Sequence, residues 1–402
     1  MIYEPIIKSL LETDFYKVNM QQVVLHNFPS YLNEWDFKCR NQDVHFTPEM
    51  IAEIKEQFEY YCNLKFTEDE LAYLAGIKWL KADYIAFLRL WHPRVEDVII
   101  DDKADCGLRI TAKGTWLNVM MYEIPLLAIV NEVYFRTAYD YSKLFESFKE
   151  RLKTKLEFLK KGVFQIGPTA EFGLRRRLSG EAQDYLIGEL VKLPKSPNYT
   201  IVGTSNIYLA KKYGIKPIGT MSHELVMNIG QGNPKINPAY SNWYAMKAWT
   251  DEYGILNGIY LTDTIGDKSC LRDMGLTFST LFSGVRHDSG DPYEWGDNWL
   301  KHWEELCIDP HTKTLMFSDS LDFKKATEIY KYFKDKAKVA FGIGTYLSND
   351  TDAPALNIVM KVAKVNGRDV AKISNAKGKT MCRNPKYVEY LLNTIEWELA
   401  NA

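Results

Sequence analysis

The chain has 402 residues, of which 46% are hydrophobic, and its 50 Lys and Arg residues nearly balance its 52 Asp and Glu residues. This length suits two domains with a sizeable core, and the balanced charge argues against a nucleic-acid-binding protein. Six widely spaced cysteines, the lack of a basic leader and the lack of a long apolar run predict a cytoplasmic protein in a reducing compartment, without a membrane partner.

The first 125 residues predict a mixed α+β domain. Helical periodicity covers residues 48–61 and 68–90, and "VIIDDKADCGLRITAKGTW" predicts two short strands joined by a turn. The start of that segment, residues 98–107, resembles the acidic motif of type I phosphoribosyltransferases. It lacks their Thr-Gly-Gly continuation, which favours a hairpin with an acidic turn. A buried helix is then predicted to begin near Pro125.

From about residue 160, short apolar runs alternate with helical patterns, which predicts βαβ units and a parallel sheet. Residues 278–282 are predicted as one of the buried strands. Each run ends in a polar or glycine-rich cluster, in the order GTSN, GTMSHE, TDT, RHDSGD, SDS and GIGT. Loops after the strands of a β/α barrel share the face that carries the active site. We therefore predict an irregular α/β barrel over residues 126–352, with an open doubly wound sheet as the alternative.

Residues 353–402 are predicted to return to the N-terminal domain. The stretch "LNIVMKVAKVNGRDVAKIS" predicts a β-hairpin that turns at Asn366 and Gly367. The nearby "AKGKT", residues 376–380, has the Gly-Lys-Thr of a P-loop, but Ile373 stands where the first glycine is required. A nucleotide-binding P-loop is therefore not predicted.

The clusters suit a phosphorylated sugar and an anionic partner. The turn "FGIGT" offers backbone N–H groups and a hydroxyl to a phosphate, although such a turn also occurs as a plain βα connection. Arginine forks in "EFGLRRR" and "VRHDSGDP" suit carboxylate or phosphate oxygens, and for each arginine of "EFGLRRR" a solvated basic helix start is the alternative. His223 in "GTMSHE" suits a base, a ligand or a nucleophile, unless it merely starts a helix.

Seven motifs in this order and spacing resemble those of the nicotinate phosphoribosyltransferase family, in its shorter form. They are "TDFYK", "EFGLRRR", "GTSN", "GTMSHE", "VRHDSGDP", "SDSLD" and "FGIGT", and they span nearly the whole chain. The resemblance implies a type II phosphoribosyltransferase fold, in which an irregular α/β barrel accompanies a mixed N-terminal domain completed by C-terminal strands. It also implies that nicotinate, phosphoribosyl pyrophosphate and ATP give nicotinate mononucleotide, pyrophosphate, ADP and phosphate, the entry step of NAD synthesis from nicotinate.

The resemblance also assigns roles to individual residues. ATP would phosphorylate His223, and Mg²⁺ would accompany the substrate phosphates. The residues expected to contact nicotinate are Tyr16, Thr220 and Arg286. Those expected on the phosphoribosyl side are Arg175, Asp288, Ser289, Ser318, Asp319, Gly342, Gly344 and Thr345. The chain is expected to be a monomer or a homodimer.

Three alternatives remain at this point. A nicotinamide or quinolinate phosphoribosyltransferase would use the same chemistry. A sugar-phosphate aldolase or isomerase would need a lysine or a base carboxylate at the end of a strand, whereas Lys216 and Lys313 are predicted at strand starts. A catalytically inactive sensor is disfavoured because every motif keeps its reactive residue.

Overall fold

The computed structural model describes residues 4–375 and 380–401. Within these residues the strands are β1 (Leu32–Cys39), β2 (Val98–Asp101), β3 (Arg109–Thr115), β4 (Gly167–Glu171), β5 (Tyr199–Thr204), β6 (Lys216–Pro217), β7 (Ile259–Leu261), β8 (Gly284–His287), β9 (Thr314–Phe317), β10 (Lys338–Ile343), β11 (Ile358–Val365) and β12 (Arg368–Asp369). Ala376–Lys379, which carry most of the "AKGKT" segment, lie outside the described residues.

The α-helices of the described residues are α1 (Phe15–Asn27), α2 (Pro48–Cys62), α3 (Glu68–Ala75), α4 (Ala82–Leu90), α5 (Trp116–Val119), α6 (Glu123–Ala138), α7 (Tyr141–Lys160), α8 (Gly180–Val191), α9 (Ile207–Tyr213), α10 (His223–Val226), α11 (Ser241–Tyr253), α12 (Asp267–Asp273), α13 (Leu276–Leu281), α14 (Pro292–Glu305), α15 (Phe323–Phe333), α16 (Thr345–Ser348) and α17 (Pro385–Ala400). A π-helix, Met227–Gln231, continues α10. Among the helices described, none combines the length and the apolar character that crossing a membrane requires.

A curled parallel sheet of seven strands forms the larger part of the molecule. Its order is β6-β5-β4-β10-β9-β8-β7, and every neighbouring pair is parallel. Its central strands are buried on both faces, as helix-covered parallel strands require, and Val285, Leu315 and Phe341 have no solvent exposure. The sheet is a half-barrel with β6 and β7 at its edges. This confirms the predicted irregular α/β barrel.

A second, antiparallel sheet joins the two ends of the chain. Its order is β12-β11-β1-β3-β2, so the C-terminal strands complete the N-terminal sheet. β1 pairs with β11 from Asn33↔Val365 to Cys39↔Ile358. The predicted hairpin is confirmed, since Asn366 and Gly367 connect β11 to β12 with φ values of 51° and 78°, the left-handed backbone of a tight hairpin turn. The domain limits 1–125, 126–352 and 353–402 stay a prediction.

The predicted strand at residues 278–282 is wrong. Most of this segment belongs to helix α13, Leu276–Leu281, and the strand begins later, at β8. Phe278 and Phe282 are both buried, with ring centroids 6.4 Å apart, because their i,i+4 spacing places them on one side of the helix. Arg286 and His287 therefore belong to the strand itself rather than to the loop that follows it.

The predicted helix over residues 68–90 is also wrong in part, because it divides into α3 and α4. The link between them is held by polar side chains of α1. Trp79 Nε1 donates to Asn19 Oδ1 at 2.9 Å, and the Lys81 backbone N–H donates to Gln22 Oε1 at 2.7 Å. These hydrogen bonds from a distant segment satisfy backbone and indole groups that a continuous helix would orient elsewhere.

The last arginine of the "RRR" run, Arg177, forms a buried ion pair. Arg177 is 1% exposed, and its Nη1 donates to Glu12 Oε2 at 2.9 Å and to Gln183 Oε1 at 3.3 Å. Glu12 is itself buried. Arg177 therefore ties the N-terminal segment to α8, and removing its charge would leave the Glu12 carboxylate buried and unpaired.

We expect Arg177→Met to lower the free energy of unfolding by about 3–5 kcal/mol, the usual cost of breaking a buried ion pair from one side. The matched control is Arg151→Met, because Arg151 makes its ion pairs with Asp350 and Asp352 from a side chain that is 44% exposed. That change should cost less than about 1 kcal/mol. Urea denaturation measures both values, and equal losses would contradict the structural assignment of Arg177.

Candidate active site

A cavity of about 460 Å³ opens at the carboxyl ends of the parallel strands. This is the edge at which a parallel α/β sheet places its binding site. Ten of the twelve predicted site residues line this cavity, which we call the main cavity: Tyr16, Arg175, His223, Arg286, Asp288, Ser318, Asp319, Gly342, Gly344 and Thr345. The structure thus brings together segments that are up to 329 residues apart in the chain, from Tyr16 to Thr345.

A second cavity of about 350 Å³, the apolar cavity, adjoins the main cavity. The two share the residues Phe172, Ile218, Gly219 and Arg286, and Thr220 lines the apolar cavity alone. Thr220 Oγ1 and Arg286 Nε are buried and have no hydrogen-bond partner among the described residues. Buried donors normally find an acceptor, so this boundary suits a ligand that brings one.

Phe172 forms the shared wall, and glycine makes its position possible. A Cβ atom on Gly342 would lie 2.3 Å from the Phe172 ring, and one on Gly344 would lie 3.2 Å from the Phe172 carbonyl oxygen. In the "FGIGT" turn, Gly342 therefore makes room for an aromatic ring. The phosphate contact that the resemblance implies for this turn stays a prediction.

Helix α1 places Tyr16 against the same boundary. Asn19 Nδ2 donates to the Gly219 carbonyl at 2.9 Å, and the Phe15 backbone N–H donates to the Ser205 carbonyl at 2.9 Å. Burial raises the pKa of Tyr16 well above its usual value of 10.0. The side chain is therefore a neutral phenol, suited to contact with a flat ring.

A fully buried lysine joins α1 to the helix that carries His223. Lys17 Nζ lies 2.7 Å from Glu123 Oε2 and 2.6 Å from Glu224 Oε2, and neither carboxylate is more than 4% exposed. Arg175 and Lys361 also pair with Glu123, at 3.5 and 3.8 Å. Burial would raise the pKa of Glu123, but Lys17, Lys361 and Arg175 outweigh it and lower that pKa to about 2. Glu123 is therefore a fixed negative charge under the main cavity.

His223 begins α10 and is held by an aspartate. Its Nε2 lies 2.9 Å from Asp263 Oδ1 and 3.6 Å from Asp288 Oδ2. Burial and the charge of Lys372, opposed by Asp263, lower the pKa of His223 to about 4. The ring is thus neutral near pH 7, and Nε2–H donates to Asp263. Nδ1 then keeps its lone pair and forms no hydrogen bond within the described part of the chain.

Two charged residues beside His223, Asp263 and Lys372, were not predicted as site residues. Lys372 Nζ lies 3.3 Å from Asp263 Oδ2 and 3.8 Å from Asp288 Oδ2. Ser289 Oγ donates to Asp263 Oδ2 at 2.5 Å, so Ser289 supports this group from behind the cavity wall. Asp263 lies in the "TDT" cluster after β7, a signal that was visible in the sequence. Lys372 follows β12 without any motif.

The carboxylates of Asp263 and Asp288, together with His223, are potential ligands of a metal ion. Ligand atoms of His223, Asp263 and Asp288 lie within 4.8 Å of one another. The ammonium of Lys372 already supplies the positive charge at two of these carboxylates, so we assign no metal to this group. Asp319 also lines the main cavity, and its carboxylate oxygens are the ligand type that Mg²⁺ prefers.

Two family models match most of the chain. Residues 168–398 match the nicotinate phosphoribosyltransferase (NAPRTase) family, and residues 11–131 match the nicotinate phosphoribosyltransferase (NAPRTase) N-terminal domain. A nicotinate phosphoribosyltransferase of Ralstonia pickettii is 42% identical over 388 residues, which cover 96% of this chain and 98% of the relative. One from Bordetella pertussis is 41% identical over 393 residues, 97% of this chain and 95% of the relative.

Solved structures give the same result. A crystal structure of nicotinate phosphoribosyltransferase from Vibrio cholerae matches with a TM-score of 0.91 and 33% identity, covering 98% of this chain and 95% of that one. A structure of the enzyme of the same name from Porphyromonas gingivalis matches with a TM-score of 0.89 and 31% identity, covering 97% of this chain and all of that one.

The environment of His223 predicts that its ring stays neutral between pH 8 and pH 5.5, because its pKa is lowered from 6.5 to about 4. The measurement is a pH titration of the histidine ring signals by NMR, with the His223 signal assigned by its loss in His223→Asn. His311 serves as the control, since it is exposed and Asp309 raises its pKa. A His223 titration with a midpoint at or above 6.5 would contradict the geometry.

Proposed function

Because the chain belongs to the nicotinate phosphoribosyltransferase family, we propose that it transfers the phosphoribosyl group of phosphoribosyl pyrophosphate to nicotinate, coupled to ATP through His223. The observation that carries the proposal is the pair of unpaired buried donors, Thr220 Oγ1 and Arg286 Nε, where the two cavities meet. Nicotinate is a flat ring with a carboxylate that takes no part in the reaction. It offers the acceptor that these donors lack.

Nicotinate would bind with its carboxylate at Arg286 and Thr220. A guanidinium donor and a hydroxyl on one carboxylate give charge-assisted hydrogen bonds, which are stronger than neutral ones. Phe172 lies in the wall common to both cavities and Tyr16 in the wall of the main cavity, so aromatic side chains are available to the pyridine ring. This pose directs the ring nitrogen into the main cavity.

The phosphoribosyl donor would occupy the rest of the main cavity. Arg40, Arg175, Arg176 and Lys361 contribute positive charge to its wall, which suits a pyrophosphate. Thr345 begins α16 at the end of β10, where its hydroxyl and the local backbone N–H groups can donate hydrogen bonds to the 5′-phosphate. Asp319 would hold Mg²⁺ together with the substrate phosphates, and the ion would then neutralise part of the charge of the leaving pyrophosphate.

The transfer step needs no strong general base. The pyridine nitrogen already has a lone pair, which attacks C1 of the ribose as the bond from C1 to the pyrophosphate oxygen breaks. The bonding electrons leave with pyrophosphate, and the ring nitrogen takes on the positive charge of the nucleotide product. Positive charge develops at C1 in such displacements, so the chain's task is to hold the two reactants in line and stabilise the leaving group.

ATP would act through His223. Its Nδ1 lone pair attacks the γ-phosphorus, an N–P bond forms, and the bond to the β-phosphate oxygen breaks so that ADP leaves with the electron pair. Asp263 fixes the reactive tautomer by accepting a hydrogen bond from His223 Nε2–H, with the two heavy atoms 2.9 Å apart, the same role that a carboxylate has in other activated histidines. Water later attacks the phosphorus, the N–P bond breaks and phosphate leaves.

Two of the alternatives that the sequence left open can now be compared with the nicotinate reaction. Family membership excludes the sugar-phosphate aldolase or isomerase, and Lys313, at the start of β9, donates to the Phe282 carbonyl at 2.8 Å, away from the main cavity. Quinolinate and nicotinamide remain as alternative substrates, and the difference in charge from nicotinate is clearest for nicotinamide. Its neutral amide cannot form the charge-assisted pair with Arg286, and we expect a preference for nicotinate of about a hundredfold or more in kcat/KM.

Arg286→Ala tests the nicotinate site. It should raise the KM for nicotinate by tens- to thousands-fold, because each charge-assisted hydrogen bond contributes about 1.5–3 kcal/mol. The KM for phosphoribosyl pyrophosphate should change much less. Thr345→Val is the matched control and should give the opposite pattern. Steady-state kinetics with labelled nicotinate measures both, and an unchanged nicotinate KM in Arg286→Ala would exclude this pose.

His223→Asn tests the coupling to ATP. The variant should lose ATP hydrolysis and ATP stimulation but keep slow ATP-independent synthesis, because the cavity still binds both reactants. γ-Labelled ATP should give the wild-type protein an acid-labile, base-stable label that the variant lacks, as expected for a phosphorylated imidazole. Label that persists in His223→Asn would place the phosphate on another residue.

A further inference from the structure

Lys372 reaches His223 from the far end of the chain. It follows β12 and forms a backbone pair with Met381, with N–H to O distances of 3.1 and 3.0 Å. It is 7% exposed. The parallel sheet does not supply this residue, so its position beside Asp263 and Asp288 depends on how the C-terminal segment is held.

A glutamine on the His223 helix holds that segment. Gln231, at the end of the π-helix that continues α10, donates from Nε2 to the Ala371 carbonyl at 2.8 Å. It accepts from the Ala371 backbone N–H through Oε1 at 2.7 Å. Gln231 and Ala371 are both buried. This two-point contact fixes the backbone next to Lys372 to the helical segment that begins with His223.

Two other cations of the main cavity form their ion pairs with a different carboxylate. Arg175 and Lys361 pair with Glu123. Among the described lysines and arginines, Lys372 is the one whose ammonium lies within 4 Å of both Asp263 and Asp288. Both carboxylates also lie within 4 Å of His223 Nε2.

Phosphorylation of His223 would add about 1.5–2 negative charges beside these two carboxylates. Without a compensating cation, the phosphoryl group would meet the buried charge of Asp263 and the partly exposed charge of Asp288, and in a partly desolvated site such repulsion is strong. An ammonium bound to both carboxylates removes most of that repulsion. The ammonium also keeps Asp263 anionic, so that this carboxylate continues to accept the hydrogen bond from His223 Nε2–H.

We propose that Lys372, held by the Gln231–Ala371 contact, is a positioning residue that neutralises Asp263 and Asp288 and so allows His223 to accept and keep a phosphoryl group. The inference rests on the proposed phosphorylation of His223 and adds a residue that none of the seven sequence motifs contains. Its role is in the ATP-coupled half of the cycle, and the phosphoribosyl transfer itself does not require it.

The test compares Lys372→Met, Lys372→Arg and the control Lys364→Met, which removes a lysine of β11 that faces Asp369 across the hairpin. The rate of labelling by γ-labelled ATP and the lifetime of the label are measured for each. Synthesis of nicotinate mononucleotide with and without ATP is measured in the same preparations. For Lys372→Met we expect labelling at least about tenfold slower and a comparable fall in the ratio of ATP-stimulated to ATP-independent synthesis.

Lys372→Arg should recover much of the labelling, and Lys364→Met should match the wild type. Wild-type labelling rate and lifetime in Lys372→Met would overturn the inference while leaving the phosphohistidine in place. Parallel loss of ATP-stimulated and ATP-independent synthesis, without recovery in Lys372→Arg, would also overturn it, because that pattern indicates a purely structural residue. No label in the wild type would overturn the proposed coupling, and this inference with it.

Discussion

A lysine buried between two carboxylates is the interaction on which the cavity depends. Lys17 contacts Glu123 and Glu224 at 2.7 and 2.6 Å, and the three residues belong to α1, α6 and α10. A buried charge without its partner is strongly unfavourable, so these helices must keep their relative positions. Tyr16 precedes Lys17 and His223 precedes Glu224. The contact therefore fixes the aromatic side of the cavity relative to the histidine.

The charges of the site fall into two groups with different tasks. Around Glu123, the cations Lys17, Arg175 and Lys361 form an ion-pair network, and Arg175 and Lys361 line the main cavity. Around His223, the carboxylates of Asp263 and Asp288 are balanced by Lys372. Arg286 makes no ion pair with any described residue, and it lies where the two cavities meet. Such an arginine suits a ligand carboxylate, whereas the paired charges suit the fixed scaffold around it.

The strand-end clusters made much of this site predictable. Polar residues after parallel strands meet at one edge, and ten of the twelve predicted residues line one cavity. The apolar pattern predicted the wrong element at residues 278–282, because the spacing of Phe278 and Phe282 is compatible with a helix as well as with a strand. Sequence reasoning also failed for Lys372, which lies in no motif, and it assigned no role to Lys17 although "TDFYK" contains that residue, because an ion pair with a distant segment has no local signature. Gly342 was predicted for a phosphate loop, while its contact with Phe172 depends on packing that sequence does not show.

We propose that one cavity joins nicotinate to a phosphoribosyl donor and that ATP acts on the same site through His223. The most direct measurement is the initial rate of nicotinate mononucleotide formation by the wild-type protein at limiting phosphoribosyl pyrophosphate, with ADP quantified in the same samples. We expect ATP to increase the rate and ADP to appear together with the nucleotide. A rate that ATP does not change, with no ADP formed, would contradict the proposal.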